Sequence, residues 1–130
     1  MQSNLRTFLF RLSFLLFVLF IFFVIYWADT GTMPALLAKI YNFPNGDRTG
    51  HFVLYGIFTL LINGAFHARI QFSKFSFGRG SLLVALFSVV EEISQLAFAS
   101  HRTVDLVDLT FSLLGVFCIE FFYNISNLRK

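Results

Sequence analysis

Four apolar stretches, residues 8–27, 50–66, 81–98 and 104–123, dominate this chain. A hydrocarbon layer of ~30 Å needs ~20 helical residues to cross it, and each stretch comes close to that length. A soluble domain has no use for so much apolar surface: twenty of the 130 residues are Phe and only 13% are charged. The expected fold class is therefore an all-α integral membrane protein, a bundle of four transmembrane helices forming a single membrane domain over residues 1–130. The second stretch is short and contains Asn63, which predicts little tilt or a locally thinned bilayer.

Arg6 precedes the first stretch and Arg11 lies near its start, ahead of the long apolar run, as the basic residues of a signal peptide would. The apolar run is longer than a signal core, however, and it closes on Tyr26-Trp27, an interfacial anchor pair rather than a small-residue cleavage site. An uncleaved membrane helix is expected. Four spans place both termini on one side, with Arg6, Arg11, Arg69, Lys74, Arg79, Arg129 and Lys130; the other side keeps Lys39, Arg48 and Arg102. Seven basic residues against three make the terminal side cytoplasmic by the positive-inside rule. In the longest loop, Pro34, Pro44 and Asn45-Gly46 are breaks, and residues 34–41 read as a short interfacial helix. The net charge of +3 is small and its basic residues are scattered singly, which argues against nucleic acid as a partner. Cys118 has no second cysteine to pair with and sits in an apolar run that disfavours a thiolate.

Ionisable groups among these apolar segments are costly without a partner or a purpose. Asp29, Asp47, Asp105 and Asp108 fall on the outer side or at outer helix ends, Glu91 and Glu92 in the outer half of the third span, and Glu120 in the inner half. The polar residues form stripes at helical spacing: His51, Tyr55, Thr59 and Asn63; Ser88, Glu92 and Gln95; Asp105, Asp108, Ser112 and Gly115. Lipid cannot satisfy polar groups, so the stripes turn inward and predict an outward-opening pocket. Its expected binding residues are Asp47, Arg48, His51, Glu92, Gln95, Arg102, Asp105, Asp108 and Ser112, with Arg48 and Arg102 at the rim.

Each of these residues also has a plain structural reading. Asp105 and Asp108 suit a helix N-terminus, where carboxylates cap free N–H groups. Arg102 suits an interfacial ion pair with either of them, and His51 a hydrogen bond to a carboxylate. Tyr55, Thr59 and Asn63 suit hydrogen bonds between helices. Glu91 lies about 100° around the helix from Glu92 and is left open; His67 and His101 read as loop residues. Glu92, two turns inside an apolar stretch, resists a purely structural account unless a buried cation faces it.

The segment Asp47-Arg48-Thr49-Gly50-His51 with Tyr55, then Glu92-Ile93-Ser94-Gln95, then Arg102-Thr103-Val104-Asp105-Leu106-Val107-Asp108 with Gly115, resembles three motifs of the VanZ family: D-[KR]-x-x-H-x-x-x-Y, E-x-x-Q and R-x-x-D-x-x-D-x-x-x-N-x-x-G. The likeness covers residues 45–116, a VanZ-like core, and the four-span layout. At one place the chain departs: Ser112 stands where the family pattern has Asn, which leaves a shorter side chain with fewer donors. The resemblance implies a small multi-pass protein of the bacterial cytoplasmic (inner) membrane acting on the cell envelope. The family takes its name from an association with resistance to glycopeptide antibiotics such as teicoplanin.

Three functional readings follow. In the first, the pocket binds a membrane lipid, an envelope-precursor headgroup, a glycopeptide-type ligand or a cation without catalysis. In the second, Glu92, His51 and Asp108 are acid–base candidates of a membrane enzyme acting on a lipid-linked substrate. Such groups are also able to hold a divalent cation, but no H-E-x-x-H, G-x-S-x-G or spaced aspartate signature is present, and no metal or cofactor is assigned. In the third, the polar groups only register the helices and a partner protein carries the function.

Overall fold

The computed structural model describes residues 2–72, 74–98 and 104–128. Helices α1 (Gln2–Thr30), α3 (Gly46–Phe66), α4 (Arg79–Ser94) and α5 (Leu106–Leu128) form the bundle. A short α2 (Ala35–Tyr41) lies between α1 and α3, and a 3₁₀ turn (Gln95–Phe98) extends α4. Among the described residues, four helical segments are long and apolar enough to cross a membrane: Asn4–Thr30, Gly46–Phe66, Arg79–Ala97 and Leu106–Ser126. They match the four expected spans, with ends displaced by a few residues.

Local chemistry explains where the helices stop. Past Thr30, Gly31 takes φ 68°, and the Thr32 N–H reaches the Trp27 carbonyl at 3.0 Å, closing the last carbonyls of α1. Pro34 precedes α2, and Asn45 at φ 61° turns the chain into α3. His67, at φ 53°, ends α3 by donating its N–H to the Asn63 carbonyl. Asp105 Oδ1 accepts the Val107 N–H at 2.7 Å and caps α5, as its plain reading anticipated.

Between α3 and α4 the chain forms an antiparallel hairpin, β1 (Arg69–Phe72) with β2 (Phe75–Gly78), where the sequence reading expects only a loop. Two four-residue strands are marginal alone, and this pair is held from outside. Asn124 of α5 accepts the Ser76 N–H and donates to the Ser76 carbonyl, both at 2.8 Å, standing in for a third strand.

Helix α3 packs against α1, α4 and α5, most extensively against α5. Phe58 anchors the core; its ring lies 5.9 Å from Phe14, 6.1 Å from Phe17 and 5.8 Å from Phe87. Ile21, Tyr55, Ile62, Val84 and Val116 complete it. Outward, α1 presents Leu15, Leu16, Leu19, Phe22 and Phe23, each at least half exposed, a surface suited to lipid rather than water. The long helices alternate in direction, so the bundle has a hairpin end and an α2 end.

Candidate functional site

The α2 end gathers polar groups from three helices. Asp47 and His51, one turn apart near the start of α3, share a face, with His51 Nε2 3.5 Å from Asp47 Oδ1. Asp108, in the first turn of α5, faces them. One ligand atom from each of the three lies within 4.8 Å of the others. Behind them, His51 Nδ1 is 3.0 Å from Ser112 Oγ, and the Ser112 hydroxyl donates to the Asp108 carbonyl at 3.1 Å.

A second group lies alongside. The Tyr55 hydroxyl donates to Glu91 Oε2 at 3.4 Å. The Gln95 amide donates to both neighbouring carboxylates, at 3.2 Å to Glu91 and 3.1 Å to Glu92. Glu92 also accepts the Asp105 N–H at 2.6 Å, tying the end of α4 to the start of α5. Backbone and amide donors thus account for part of what a buried Glu92 requires. Glu91, left open by the sequence reading, joins the network through Tyr55 and is buried.

A cavity of about 70 Å³ opens beside these residues. One wall carries the polar residues Asp47, His51, Tyr55 and Glu91 together with Gly50 and Leu54; the other is aliphatic, with Ile21, Val24, Ile25 and Ala28 of α1, and most of the exposed lining is apolar. The sequence reading expects a pocket among the polar stripes of α3, α4 and α5. The cavity instead lies chiefly between α1 and α3, with Glu91 of α4 at its edge. Glu92, Gln95, Asp105, Asp108 and Ser112 stand behind its lining. Arg48 points to Asn45 Oδ1, 3.3 Å away at the surface, rather than into the cavity. Arg102 and His101 lie outside the described residues.

The stripes differ in what they do. Asn63 bridges helices as expected, but the Thr59 hydroxyl returns to the Tyr55 carbonyl of its own helix at 2.8 Å, and Ser88 likewise to Ala85. Gly115 is a contact point: its Cα faces the backbone of Phe52 and Gly56, where α3 and α5 come closest.

The hairpin end holds a cluster that the stripe analysis did not assemble. Buried Glu120 accepts from Arg69 at 2.5 Å, from Asn63 at 2.8 Å, from the Gly78 N–H at 3.2 Å and from the Ser81 hydroxyl. The Arg69 guanidinium also lies 3.6 Å over the Tyr123 ring. The only signal in the sequence was an isolated carboxylate deep in the last span.

No family model matches the chain, and neither a curated protein nor a solved structure gives a significant match.

Proposed function

We propose that the chain is a multi-pass protein of the bacterial cytoplasmic membrane, VanZ-like in kind, whose α2 end faces outward and holds the polar terminus of an envelope lipid or lipid-linked wall precursor. The two-faced cavity carries this reading. An amphiphile satisfies the polar wall and the aliphatic wall together, whereas a plain hydrocarbon leaves Asp47 and Glu91 facing it, and a water-soluble ligand gains little from Ile21, Val24 and Ile25. The excess of basic residues at the hairpin end supports the orientation, with both termini cytoplasmic.

Size narrows the occupant. At roughly 10–15 Å³ per water-sized probe, a cavity of about 70 Å³ has room for about five to seven water-sized groups, enough for a small headgroup and not for a glycopeptide. A link to teicoplanin resistance would accordingly run through the lipid rather than through capture of the drug. The polar wall is rich in acceptors, which favours a headgroup that donates hydrogen bonds. A binding role is preferred to an enzymatic one because Glu92, the deepest acid–base candidate, is already engaged with Asp105 and Gln95.

Native mass spectrometry of the purified protein with defined lipids tests this. Phosphatidylethanolamine should be retained over phosphatidylglycerol, and the preference should vanish in Glu91→Gln and Tyr55→Phe. Equal retention of both lipids by the wild type sinks the reading. In cells, a deletion strain under envelope stress or glycopeptide challenge should be rescued by the wild type and not by Glu91→Gln.

A further inference from the structure

We infer that Asp47, His51 and Asp108 bind one divalent transition-metal ion of the zinc class, with an open coordination position toward the cavity. Ser112 has a single hydroxyl hydrogen and directs it to the Asp108 carbonyl, so at the 3.0 Å contact with His51 the ring Nδ1 is the donor. Nε2, the other ring nitrogen, faces Asp47 Oδ1 at 3.5 Å, so it is the atom available to a metal once its proton is displaced. Fixing one ring nitrogen through an outer hydrogen bond so that the other can ligate is the usual arrangement around metal-bound histidine.

Asp108 supplies an independent observation. It is only 8% exposed. Among the described residues the ionisable groups facing its carboxylate are Asp47, His51 and Asp105, none of them a permanent cation. Two carboxylates and a ring nitrogen therefore converge on one point from α3 and α5. A divalent ion there would take the place of the protons these groups otherwise share and would balance both carboxylates.

The geometry is close to what such an ion needs. With metal–ligand bonds of about 2.1 Å, two ligands of one zinc ion stand at most ~4.2 Å apart. The three ligand atoms lie within 4.8 Å of one another, and Asp47, whose side chain is 36% exposed, has room to rotate inward. One imidazole and two carboxylates suit zinc or a neighbouring divalent metal better than calcium, which prefers six or more oxygens. Three protein ligands leave a fourth position for water or a headgroup oxygen. The ion shares the cavity of the lipid reading but does not depend on it.

Full-length protein in detergent, stripped with EDTA and dialysed, is titrated with Zn²⁺ alone and with Co²⁺ as a visible-absorbing substitute. One ion per chain is expected, with affinity at least tenfold weaker in His51→Ala and Asp108→Asn and unchanged in His67→Asn at the opposite end. If the buried variants fail to fold, Asp47→Asn, at a partly exposed position, carries the same expectation. Absence of stoichiometric binding by folded wild type overturns the inference, as does equal binding by the ligand variants. A His51 imidazolium, seen by nitrogen NMR in place of metal uptake, also overturns it. Lipid retention is read separately on the same preparations, with and without metal, so that failure of one proposal is not taken for failure of the other.

Discussion

His51 and Ser112 meet across α3 and α5 at 3.0 Å, and that contact at Nδ1 holds the ring with Nε2 turned toward Asp47. Ser112→Ala removes the acceptor and frees the ring to change tautomer. Loss of an outer-shell partner typically lowers metal affinity about 10–100-fold, and the buried Nδ1–H left unsatisfied costs roughly 1–3 kcal/mol. Ser112→Asn restores an acceptor, the residue type of the resembling family's pattern, and should recover most of the affinity. Zinc titration and thermal unfolding of the two variants check this; equal affinity in Ser112→Ala and wild type contradicts the proposed role of the hydroxyl.

Glu92 joins two helices rather than lining the cavity. It accepts the Asp105 N–H at 2.6 Å and one Gln95 proton. Glu92→Ala leaves both donors buried without that acceptor, and each orphaned group costs roughly 1–3 kcal/mol. Glu92→Gln keeps one acceptor oxygen but sets an NH₂ against the other donor, so it should cost roughly 1–3 kcal/mol, less than Glu92→Ala. Thermal unfolding in detergent should therefore rank wild type, Gln, Ala. A Glu92→Gln protein as unstable as Glu92→Ala contradicts this account, and one that folds but fails to complement returns Glu92 to the functional set.

The four spans and α2 were legible because their signals are local: apolar runs of membrane length, and breaks at Pro34, Pro44 and Asn45-Gly46. The polar faces were legible from helical spacing, although the stripe read for α3 began at His51, and Asp47 stood beside it only through the motif resemblance. Spacing within a helix says nothing of the depth at which a neighbour meets it. It did not reveal that Tyr55 reaches Glu91, that Thr59 turns back on its own helix, or that Glu92 holds Asp105. The hairpin was invisible for a related reason. Its strands gain their stability from Asn124 and Glu120, some fifty residues away in sequence.

At the hairpin end, Glu120 is the acceptor on which Arg69, Asn63, Ser81 and the Gly78 N–H converge. Removing one partner of a buried ion pair costs about 3–5 kcal/mol. The Arg69 side chain remains 15% exposed, which screens the pair, so Glu120→Ala should fall at roughly 2–4 kcal/mol. The loss should be local as well: the hairpin should become protease-sensitive at Lys74 while zinc binding at the α2 end persists. Limited proteolysis alongside metal titration separates the two ends, and loss of both together contradicts their independence.

Gly115 and Gly56 sit at the same helix crossing but should respond differently to a single methyl. A Cβ at Gly115 would collide with the Phe52 carbonyl oxygen, a backbone atom that cannot rotate away. At Gly56 the nearest atom to a new Cβ is the Gly115 carbonyl oxygen at 3.6 Å, an ordinary contact. Gly115→Ala must therefore push α5 away from α3, with overpacking costs of roughly 1–3 kcal/mol. It should also weaken zinc binding, because Asp108 and Ser112 ride on the displaced helix while Asp47 and His51 stay on α3. Gly56→Ala should be neutral or slightly stabilising, since alanine also favours the helix over glycine by up to about 1 kcal/mol. Unfolding temperatures and zinc affinities of the two variants, measured side by side, give the comparison; if Gly56→Ala proves the more damaging, the close approach of α3 and α5 has been misplaced.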